Sequence, residues 1–357
     1  MPKIRVLVVD DAVVVRSRVS KILSGDPELE VVGVAANGRI ALAKIPHVNP
    51  DVVLLDVEMP EMNGLETLAA IRQIYPHLAV IMFSASTRTG AIATLEALSL
   101  GASDYATKPS NLGSVEAINQ HIRENLIPKI KVFGARATPL LTPITMHQTV
   151  SPVRTRVEQV NVVAIGVSTG GPNALATLLR ELPSDFPVPI LIVQHMPPMF
   201  TKLLAERLSS KCQIKVDEAI PGAVLEPGQA WIAPGNFHMV VQRDKTVVRL
   251  ATHQKPPENS CRPSVDVLLR SVAQVYGAGA LAVILTGMGQ DGLHGCQCIR
   301  EAGGQVLAQD KESSVVWGMP GLVVNAGLAD RVVPLETMAA EIMRRIRPYQ
   351  VPILGTS

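Results

Sequence analysis

Three side chains that could share a nucleophilic mechanism stand at the ends of three apolar segments in the second half of the chain. Ser168 is the central residue of a G-x-S-x-G motif that follows the segment VVAIGV. His195 directly follows PILIVQ, and Asp291 lies in the glycine-rich segment that follows ALAVIL. If the three segments are neighbouring parallel strands, their carboxyl ends share one edge of the sheet. A hydroxyl nucleophile, an imidazole base and a carboxylate that orients the base would then meet, as in hydrolysis of an ester or an amide.

Each of these three residues also has an ordinary structural explanation. A serine at this position can cap a helix or belong to a glycine-rich phosphate loop, and an aspartate in a glycine-rich loop can stabilise a turn. A lone histidine at a strand end is usually structural. The occurrence of all three at predicted strand ends favours catalysis over these separate explanations. Their chain order, Ser, His, Asp, differs from the Ser, Asp, His order of α/β-hydrolases, so an ordinary α/β-hydrolase topology is not expected.

A second group of polar residues ends the predicted strands of the first half. Asp10 and Asp11 follow the first strand, Asp56 ends the third, Ser84 ends the fourth and Lys108 follows the fifth. Three carboxylates at one sheet edge repel one another unless a cation neutralises them, and their hard oxygen atoms suit Mg²⁺. With a lysine and a hydroxyl beside them they could bind a phosphoryl group, which Asp56 is expected to accept. An isolated Asp-Asp pair would more often cap a helix, but that explanation does not cover the full set.

The segments that must position these residues alternate between short apolar runs and helix-like patterns. The first half predicts strands over 4–9, 51–55, 79–83 and 104–107, with helices such as 14–23 and 64–74. The second half predicts strands over 160–167, 189–194, 280–285 and 305–308, with a helix over 173–182. Alternation of this kind predicts parallel sheets with right-handed crossovers.

Composition agrees with two α/β domains. The 357 residues exceed one ordinary domain, and 47% hydrophobic but only 3% aromatic residues indicate cores of aliphatic side chains. We predict a flavodoxin-like parallel-sheet domain over 1–131, an interdomain linker over 132–158 and a doubly wound, mostly parallel domain over 159–357. The segments 238–243 and 246–250 flank Asp244-Lys245 and predict a β-hairpin added to the second sheet, which would make that sheet mixed.

Charge and cysteine content restrict the partners and the compartment. A formal net charge of +2 gives no broad basic surface for nucleic acid or an anionic membrane. The four cysteines show neither a C-x-x-C pair nor a metal-ligand spacing with histidine, which favours free thiols in a reducing cytoplasm. No apolar stretch has the length of a membrane span, and the N-terminus lacks the pattern of a signal peptide, so a soluble cytoplasmic protein is expected.

The first half resembles the response-regulator receiver family. The resemblance is carried by VLVVDD (6–11), LLDVEMPEMNG (54–64), MFSAS (82–86) and GASDYATKP (101–109), and it covers roughly residues 1–125. It implies that Asp11, Asp56 and the backbone carbonyl of Glu58 hold Mg²⁺. It also implies that Asp56 accepts phosphate from a histidine kinase.

The same resemblance implies a switch in this half. Ser84 and Tyr105 are expected to change rotamer after phosphorylation of Asp56, while Lys108 balances charge on the phosphoryl oxygens. The peptide bond before Pro109 is expected to be cis, which an X-Pro bond permits at modest cost.

The second half resembles the catalytic domain of the chemotaxis protein-glutamate methylesterases. The resemblance is carried by GVSTGGP (166–172), VQHMP (193–197), CRPSVDVLL (261–269) and LTGMGQDG (285–292). It implies Ser168 as nucleophile, His195 as base and Asp291 as the residue that orients the base. Backbone N–H groups near Thr169 and Met288 are the implied candidates for the oxyanion hole.

Together the two resemblances imply a serine esterase controlled by phosphorylation of Asp56. Its substrates would be glutamyl γ-methyl esters, and glutamines that it deamidates, on methyl-accepting chemotaxis receptors; a chemotaxis histidine kinase would donate phosphate. Mg²⁺ is expected for phosphorylation and no cofactor for the esterase chemistry. The alternative is a response regulator whose second half binds a nucleotide or DNA, although the chain lacks a basic recognition helix. Cys261 stands where members of the methylesterase family often carry a histidine.

Overall fold

The structure, a computed structural model, describes residues 2–109, 114–135 and 159–346. These residues form two compact units, one before residue 136 and one after residue 158. Of the linker predicted over 132–158, residues 132–135 belong to a helix and the remainder lies outside the described residues.

The first unit is an open, entirely parallel sheet with helices. Its strands are β1 Ile4–Val9, β2 Leu29–Ala35, β3 Val52–Asp56, β4 Ala79–Ser84 and β5 Asp104–Thr107. Its described helices are α1 Val13–Ser24, α2 Gly38–Val48, α3 Gly64–Ile74, α4 Arg88–Ser99, α5 Val115–Asn125 and α6 Ile127–Ala135. The strand order β2-β1-β3-β4-β5 is that of flavodoxin-like folds and confirms the prediction.

The loop after β3 is fixed by the start of α3. Asn63 accepts a hydrogen bond from the N–H of Glu66, and the Glu66 carboxylate accepts one from the N–H of Asn63, both at 2.9 Å. A reciprocal cap of this kind contributes about 1 kcal/mol. At the first helical position, a Cβ on Gly64 would lie 2.2 Å from the carbonyl oxygen of Asp56, so only glycine lets the helix approach this strand end so closely.

The second unit contains a larger parallel sheet and a separate hairpin. Its strands are β6 Val162–Val167, β7 Ile190–Gln194, β8 Lys215–Glu218, β9 Gln229–Ile232, β10 His238–Asp244, β11 Val247–His253, β12 Ala280–Ile284, β13 Gln305–Gln309 and β14 Arg331–Val333. Its described helices are α7 Gly171–Arg180, α8 Phe200–Ser209, α9 Val265–Tyr276, α10 Leu293–Glu301, α11 Met319–Asn325 and α12 Leu335–Ile346, with a 3₁₀ turn over Gly277–Gly279.

The order in which the chain adds strands to this sheet changes side between β6 and β12. The parallel order is β14-β13-β12-β6-β7-β9-β8, so the chain adds strands on one side of β6 first and on the other side later. Both central strands are buried at every position, as expected for a sheet covered on both faces. The crevice at the carboxyl ends of β6 and β12 is therefore a topological switch point, where open α/β sheets bind ligands.

The predicted hairpin exists, but the prediction that it makes the second sheet mixed is wrong. β10 and β11 form an antiparallel two-stranded sheet of their own, to which Val224 adds one isolated bridge at Arg249, and the seven-stranded sheet is parallel throughout. The hairpin instead lies on α9, where the N–H of Val241 donates to Ser271 Oγ and the side chains of Met239 and Leu250 enter the hydrophobic core. The position beside β7 is occupied by β9, a short strand outside the predicted set.

Three other strands outside the predicted set lie at sheet edges: β2 in the first sheet, β8 and β14 in the second. An edge strand is solvated on one side, so charged residues such as Glu30 and Arg331 interrupt its apolar pattern. Within the described parts of the chain, no helix combines the length and the apolar character needed to traverse a bilayer.

Candidate active site and phosphoryl-acceptor site

The switch point of the second unit brings Ser168 and His195 side by side. Ser168 follows the last residue of β6, and its N–H donates to the carbonyl of Thr286 at 3.0 Å. His195 follows the last residue of β7, and its N–H donates to the carbonyl of Val167 at 3.2 Å. The backbones of the two residues are thus neighbours across a pair of parallel strands, about 4.8 Å apart. The carboxyl ends of β6 and β7 therefore lie next to each other, while a joint role of Ser168 and His195 in catalysis stays a prediction.

Gln194, which lies in the VQHMP motif but was assigned no role there, links these two backbones. Its side chain is 1% exposed, and its Nε2 donates to the carbonyls of Ser168 at 3.0 Å and His195 at 3.3 Å. Its Oε1 lies against the start of α7, 1.8 Å from where a Cβ on Gly171 would stand. The second glycine of the T-G-G-P segment is therefore needed to make room for this amide.

Replacing Gly171 with alanine is expected to destabilise the second domain by about 1–3 kcal/mol, because the buried Gln194 amide must move. The midpoint of thermal unfolding should fall by at least about 2 °C. Thr177→Ala, at an exposed position of the same helix, is the matched control and should change it little. An unchanged midpoint in the glycine variant would contradict the tight packing between Gln194 and α7.

Asp291 is the most heavily hydrogen-bonded carboxylate of this site. It is 2% exposed, and its two oxygens accept from Ser264 Oγ at 2.8 Å, from the N–H groups of Val265 and Asp266 at 2.7 and 3.1 Å, and from Asn259 Nδ2 at 3.1 Å. The carboxylate thus caps the N-terminus of α9, whose dipole favours negative charge. Burial by itself would raise the pKa of Asp291, but the contact with His195 and these backbone donors outweigh burial and lower the pKa to about 2.

His195 presents its two ring nitrogens to different partners. Nε2 lies 2.8 Å from Asp291 Oδ2, and Nδ1 lies 3.7 Å from Cys261 Sγ. Burial lowers the pKa of His195, but the hydrogen bond to Asp291 and the contact with Cys261 outweigh it and raise the pKa above the ordinary value. Since Asp291 holds the proton on Nε2, Nδ1 is the nitrogen left to act as a base. Chymotrypsin-like proteases use the two ring nitrogens the other way round.

The loop and helix that support Asp291 contain residues that sequence reasoning did not assign. Asn259 Nδ2 also donates to Asp266 Oδ2 at 2.8 Å, and Asp266 Oδ1 accepts from the N–H groups of Gly292 and Gly295. Asp266 therefore fixes the loop that carries Asp291 to the start of α10. Ser264 and Asp266 lie within CRPSVDVLL, so their positions were visible in that motif, but their partners were not.

The two residues named for the oxyanion hole, Thr169 and Met288, lie near Ser168. Thr169 is buried directly after Ser168, and its carbonyl accepts from Thr286 Oγ1 at 2.9 Å. Met288 lies in the loop after β12, next to Gly287, whose Cα approaches the Ser168 side chain closely enough that a Cβ there would clash at 2.9 Å. Both backbones are at the same strand ends as Ser168, where amide N–H groups can face a carbonyl oxygen.

The polar residues of the first unit converge around Lys108. Its Nζ lies 2.7 Å from Oδ2 of both Asp10 and Asp56, and ligand oxygens of Asp10, Asp11 and Asp56 lie within 4.8 Å of one another. Asp11 is exposed, whereas Asp10 and Asp56 are buried. A pocket of about 170 Å³ opens here, and its lining includes Asp11, Glu58 and Ser84.

Electrostatics at this pocket fit a divalent cation. Three ionised carboxylates against one ammonium leave a formal charge of −2, and the oxygen donors are of the kind that Mg²⁺ prefers. Burial raises the pKa of Asp56 to about 6, although Lys108 opposes the rise. A cation at this place would favour the ionised carboxylate, which is the nucleophilic form.

Two further predictions for the first unit concern Tyr105 and the peptide bond before Pro109. Tyr105 is 7% exposed on β5, and burial raises the pKa of its hydroxyl well above the ordinary value. The expectation of a cis bond before Pro109 is wrong: among the described residues the one cis peptide bond joins Arg262 and Pro263. Lys108 reaches both buried carboxylates without a cis bond after it, so its contacts do not require that isomer.

Comparison with known proteins assigns both units. Residues 163–342 match the family model described as CheB methylesterase, and residues 6–120 match the response regulator receiver domain. A "Protein-glutamate methylesterase/protein-glutamine glutaminase" of Trichodesmium erythraeum (strain IMS101) is 60% identical over 351 residues, which cover 97% of this chain and 100% of that protein. A protein of the same description from Nocardioides sp. (strain ATCC BAA-499 / JS614) is 49% identical over 362 residues, covering 99% of both.

A solved structure supports the assignment of the second unit. The catalytic domain of the Thermotoga maritima CheB methylesterase is 42% identical, with a TM-score of 0.51, and the match covers 52% of this chain and 98% of that one. None of these matches favours the alternative of a nucleotide- or DNA-binding second domain. Because the family models span both units and two relatives align over nearly the whole chain, the chain belongs to the CheB methylesterase family, with a response-regulator receiver domain joined to a hydrolase domain.

Proposed function

We propose that the chain hydrolyses glutamyl γ-methyl esters on methyl-accepting chemotaxis receptors in the cytoplasm, under control of phosphorylation at Asp56. The observation that carries the hydrolytic part is the contact of 2.8 Å between the partly buried His195, on the strand end next to Ser168, and the buried Asp291. The printed descriptions of the relatives support the substrate class. A chemotaxis histidine kinase is the proposed phosphate donor.

In the first half of the reaction, Ser168 Oγ attacks the ester carbonyl carbon while His195 Nδ1 takes the hydroxyl proton. Asp291 stabilises the imidazolium that forms and keeps the ring in the tautomer with hydrogen on Nε2. The carbonyl oxygen becomes an oxyanion, and the N–H groups of Thr169 and Met288 are the proposed donors to it. One such donor lowers the barrier by about 3 kcal/mol.

The tetrahedral intermediate then breaks its bond to the methoxy oxygen. His195 returns its proton to that oxygen, methanol leaves, and the glutamyl group remains esterified to Ser168. A water molecule attacks this acyl-enzyme with His195 again as base, which releases the glutamate side chain and restores the serine hydroxyl. With a glutamine substrate the same steps release ammonia, so deamidation is included in the proposal.

In the receiver domain, a carboxylate oxygen of Asp56 attacks the phosphorus of the kinase's phosphohistidine, the P–N bond breaks so that the histidine stays on the kinase, and Lys108 pairs with the transferred oxygens. Asp10, Asp11, Asp56 and the backbone carbonyl of Glu58 are proposed to hold Mg²⁺, which when bound offsets negative charge on the phosphoryl group. Ser84 is the last residue of β4, and Tyr105 lies on β5. Both are proposed to change rotamer after phosphorylation of Asp56. The esterase chemistry is proposed to need no cofactor.

The substrate class is tested by comparing methanol release from receptor methylated at glutamates with release from small carboxylic methyl esters. We expect kcat/KM for the receptor to exceed that for the small esters by at least about 100-fold, since remote binding energy contributes to the transition state. Equal values would support a hydrolase of small esters in place of a receptor methylesterase.

The role of Asp291 is tested by the pH profile of Asp291→Asn. The base must be neutral, so activity falls as pH drops through the pKa of His195. Asp291 raises that pKa and burial lowers it, so the asparagine variant should move the acidic limb of kcat/KM to lower pH. Its plateau should fall by about 10⁴-fold, because the tautomer and the imidazolium are no longer stabilised.

The control for that experiment is Asp244→Asn, at an exposed position of the hairpin, which should reproduce the wild-type profile. An acidic limb that stays in place, or that moves to higher pH, in Asp291→Asn would contradict the proposed pairing.

A further inference from the structure

The proposed mechanism gives no part to the thiol of Cys261, although this thiol faces the basic nitrogen of His195. Sγ lies 3.7 Å from Nδ1, while the opposite nitrogen, Nε2, is held by Asp291 at 2.8 Å. Among the described residues, these three form one of two groups whose potential ligand atoms all lie within 4.8 Å of one another. The other group is the carboxylate cluster of the receiver domain.

The separation of the two atoms suits a tetrahedral metal ion. Zinc binds a histidine nitrogen at about 2.0–2.1 Å and a thiolate sulfur at about 2.3 Å, which at a tetrahedral angle places the two ligand atoms about 3.5 Å apart. The observed separation of 3.7 Å is close to this value. A carboxylate oxygen of Asp291 also lies within 4.8 Å of these ligand atoms, but Asp291 is already bound to the other ring nitrogen, Nε2, at 2.8 Å.

Asp291 instead has the position of a residue that binds the ligating histidine and not the metal. Histidines that bind zinc usually donate their second N–H to a carboxylate, which fixes the ring and makes the ligating nitrogen more basic. Nε2 and Asp291 Oδ2 form that contact, and the carboxylate is held in turn by the start of α9. The ligating nitrogen is thus oriented before any metal arrives.

The backbone that carries the thiol is also held in place. Glu258 and Cys261 exchange two backbone hydrogen bonds, of 3.1 and 2.8 Å, around Asn259 and Ser260, whose φ angles are 52° and 61°. Two successive left-handed residues form a tight turn, and the Asn259 side chain anchors it to Asp291. Cys261 is partly exposed, so an ion from solvent can reach it.

We propose that Cys261 and His195 Nδ1 form a binding site for Zn²⁺ or another thiophilic divalent cation. On binding, the thiol proton passes to solvent, the thiolate and Nδ1 each form a bond to the metal, and water fills the remaining positions. The ion binds the lone pair of Nδ1, which must be free to accept the proton of Ser168. Metal binding therefore stops hydrolysis. This inhibitory consequence rests on the proposed function, whereas the binding itself does not.

The ligand atoms of this site and of the receiver cluster prefer different metal ions. A thiolate and an imidazole select zinc-like ions, whereas three carboxylates select Mg²⁺. With Mg²⁺ in excess the receiver carboxylates are occupied, and a thiophilic ion added in small amount is directed to Cys261.

The binding is tested on the full chain with Co²⁺ as the probe, in excess Mg²⁺. A thiolate bound to Co²⁺ absorbs in the near ultraviolet, whether or not the protein is active. We expect the absorption in wild type and in the control Cys298→Ala, and its loss in both Cys261→Ala and Cys261→His. Absence of the band in wild type, or its persistence in Cys261→Ala, would overturn the proposed site.

The inhibition is tested by methanol release in the presence of Zn²⁺. Relative to its own zinc-free rate, wild type should be inhibited and should recover after chelation and renewed Mg²⁺. Cys261→Ala should need at least about tenfold more Zn²⁺, and Cys261→His, which keeps a ligand, should need about as much as wild type. Equal zinc sensitivity in wild type and Cys261→Ala would overturn the inhibitory role. A cobalt band without methanol release in any sample would instead count against the esterase function and leave the metal site standing.

Discussion

Ser168→Ala is expected to reduce methanol release from methylated receptor by at least about 10⁴-fold. Removing the serine nucleophile from a comparable hydrolase costs about 10⁶-fold in kcat, and the residual rate comes from binding and the oxyanion donors. The side chain lies at the switch point between β6 and β12, with His195 beside it on the next strand. The variant removes only the Oγ atom, so the backbone contacts with Thr286 and Gln194 remain possible.

The control for this variant is Ser210→Ala, at the exposed end of α8, which should keep the wild-type rate. Thermal unfolding of both variants should match wild type within about 1 °C, since a single atom at the rim of the sheet contributes little to stability. Turnover within tenfold of wild type in Ser168→Ala would remove the nucleophile assignment, whatever the behaviour of His195.

Asp56→Asn is expected to abolish the increase in methanol release that a phosphodonor produces in wild type. Asparagine has nearly the same shape but is a far weaker nucleophile than a carboxylate, so no acyl phosphate forms. Its amide also removes one of the two partners of Lys108, which keeps its contact with Asp10. The quantity to compare is the ratio of rates with and without a small-molecule phosphodonor, in the presence of Mg²⁺.

In wild type that ratio should exceed one, and in Asp56→Asn it should equal one. Asp26→Asn, at a carboxylate on the loop after α1 that pairs with Lys131, is the matched control and should keep the wild-type ratio. The acid stability of the incorporated phosphate gives a second measurement, because an acyl phosphate is hydrolysed under acidic conditions in which phosphoserine is stable. A stimulated rate that survives in Asp56→Asn would locate the regulatory phosphate elsewhere.

The two sets of experiments are independent because they address different units. Loss of basal turnover in Ser168→Ala concerns the second sheet, and loss of the stimulated ratio in Asp56→Asn concerns the first. A protein in which only the first outcome is observed would be an unregulated esterase. A protein in which only the second is observed would be a regulated esterase whose nucleophile is not Ser168.

The elements and the strand ends that carry the chemistry can be predicted from the amino-acid sequence. Helix α3 runs over the predicted residues 64–74, and the central strands β6, β7 and β12 fall within the predicted apolar runs. These features follow from local periodicity and from turn and cap residues such as Asn63, which act over a few neighbours. Since parallel strands place their carboxyl ends together, the meeting of Ser168 and His195 also follows from local pattern.

Which atoms meet depends instead on how the elements pack in three dimensions. His195 and Asp291 are 96 positions apart, and no sequence pattern states that Nε2 faces the carboxylate or that Nδ1 faces Cys261. Packing likewise laid the hairpin on α9, although its strands were correctly predicted. The physical reason is that side-chain contacts between distant segments depend on how helices and strands pack against each other, and that packing is a property of the whole core.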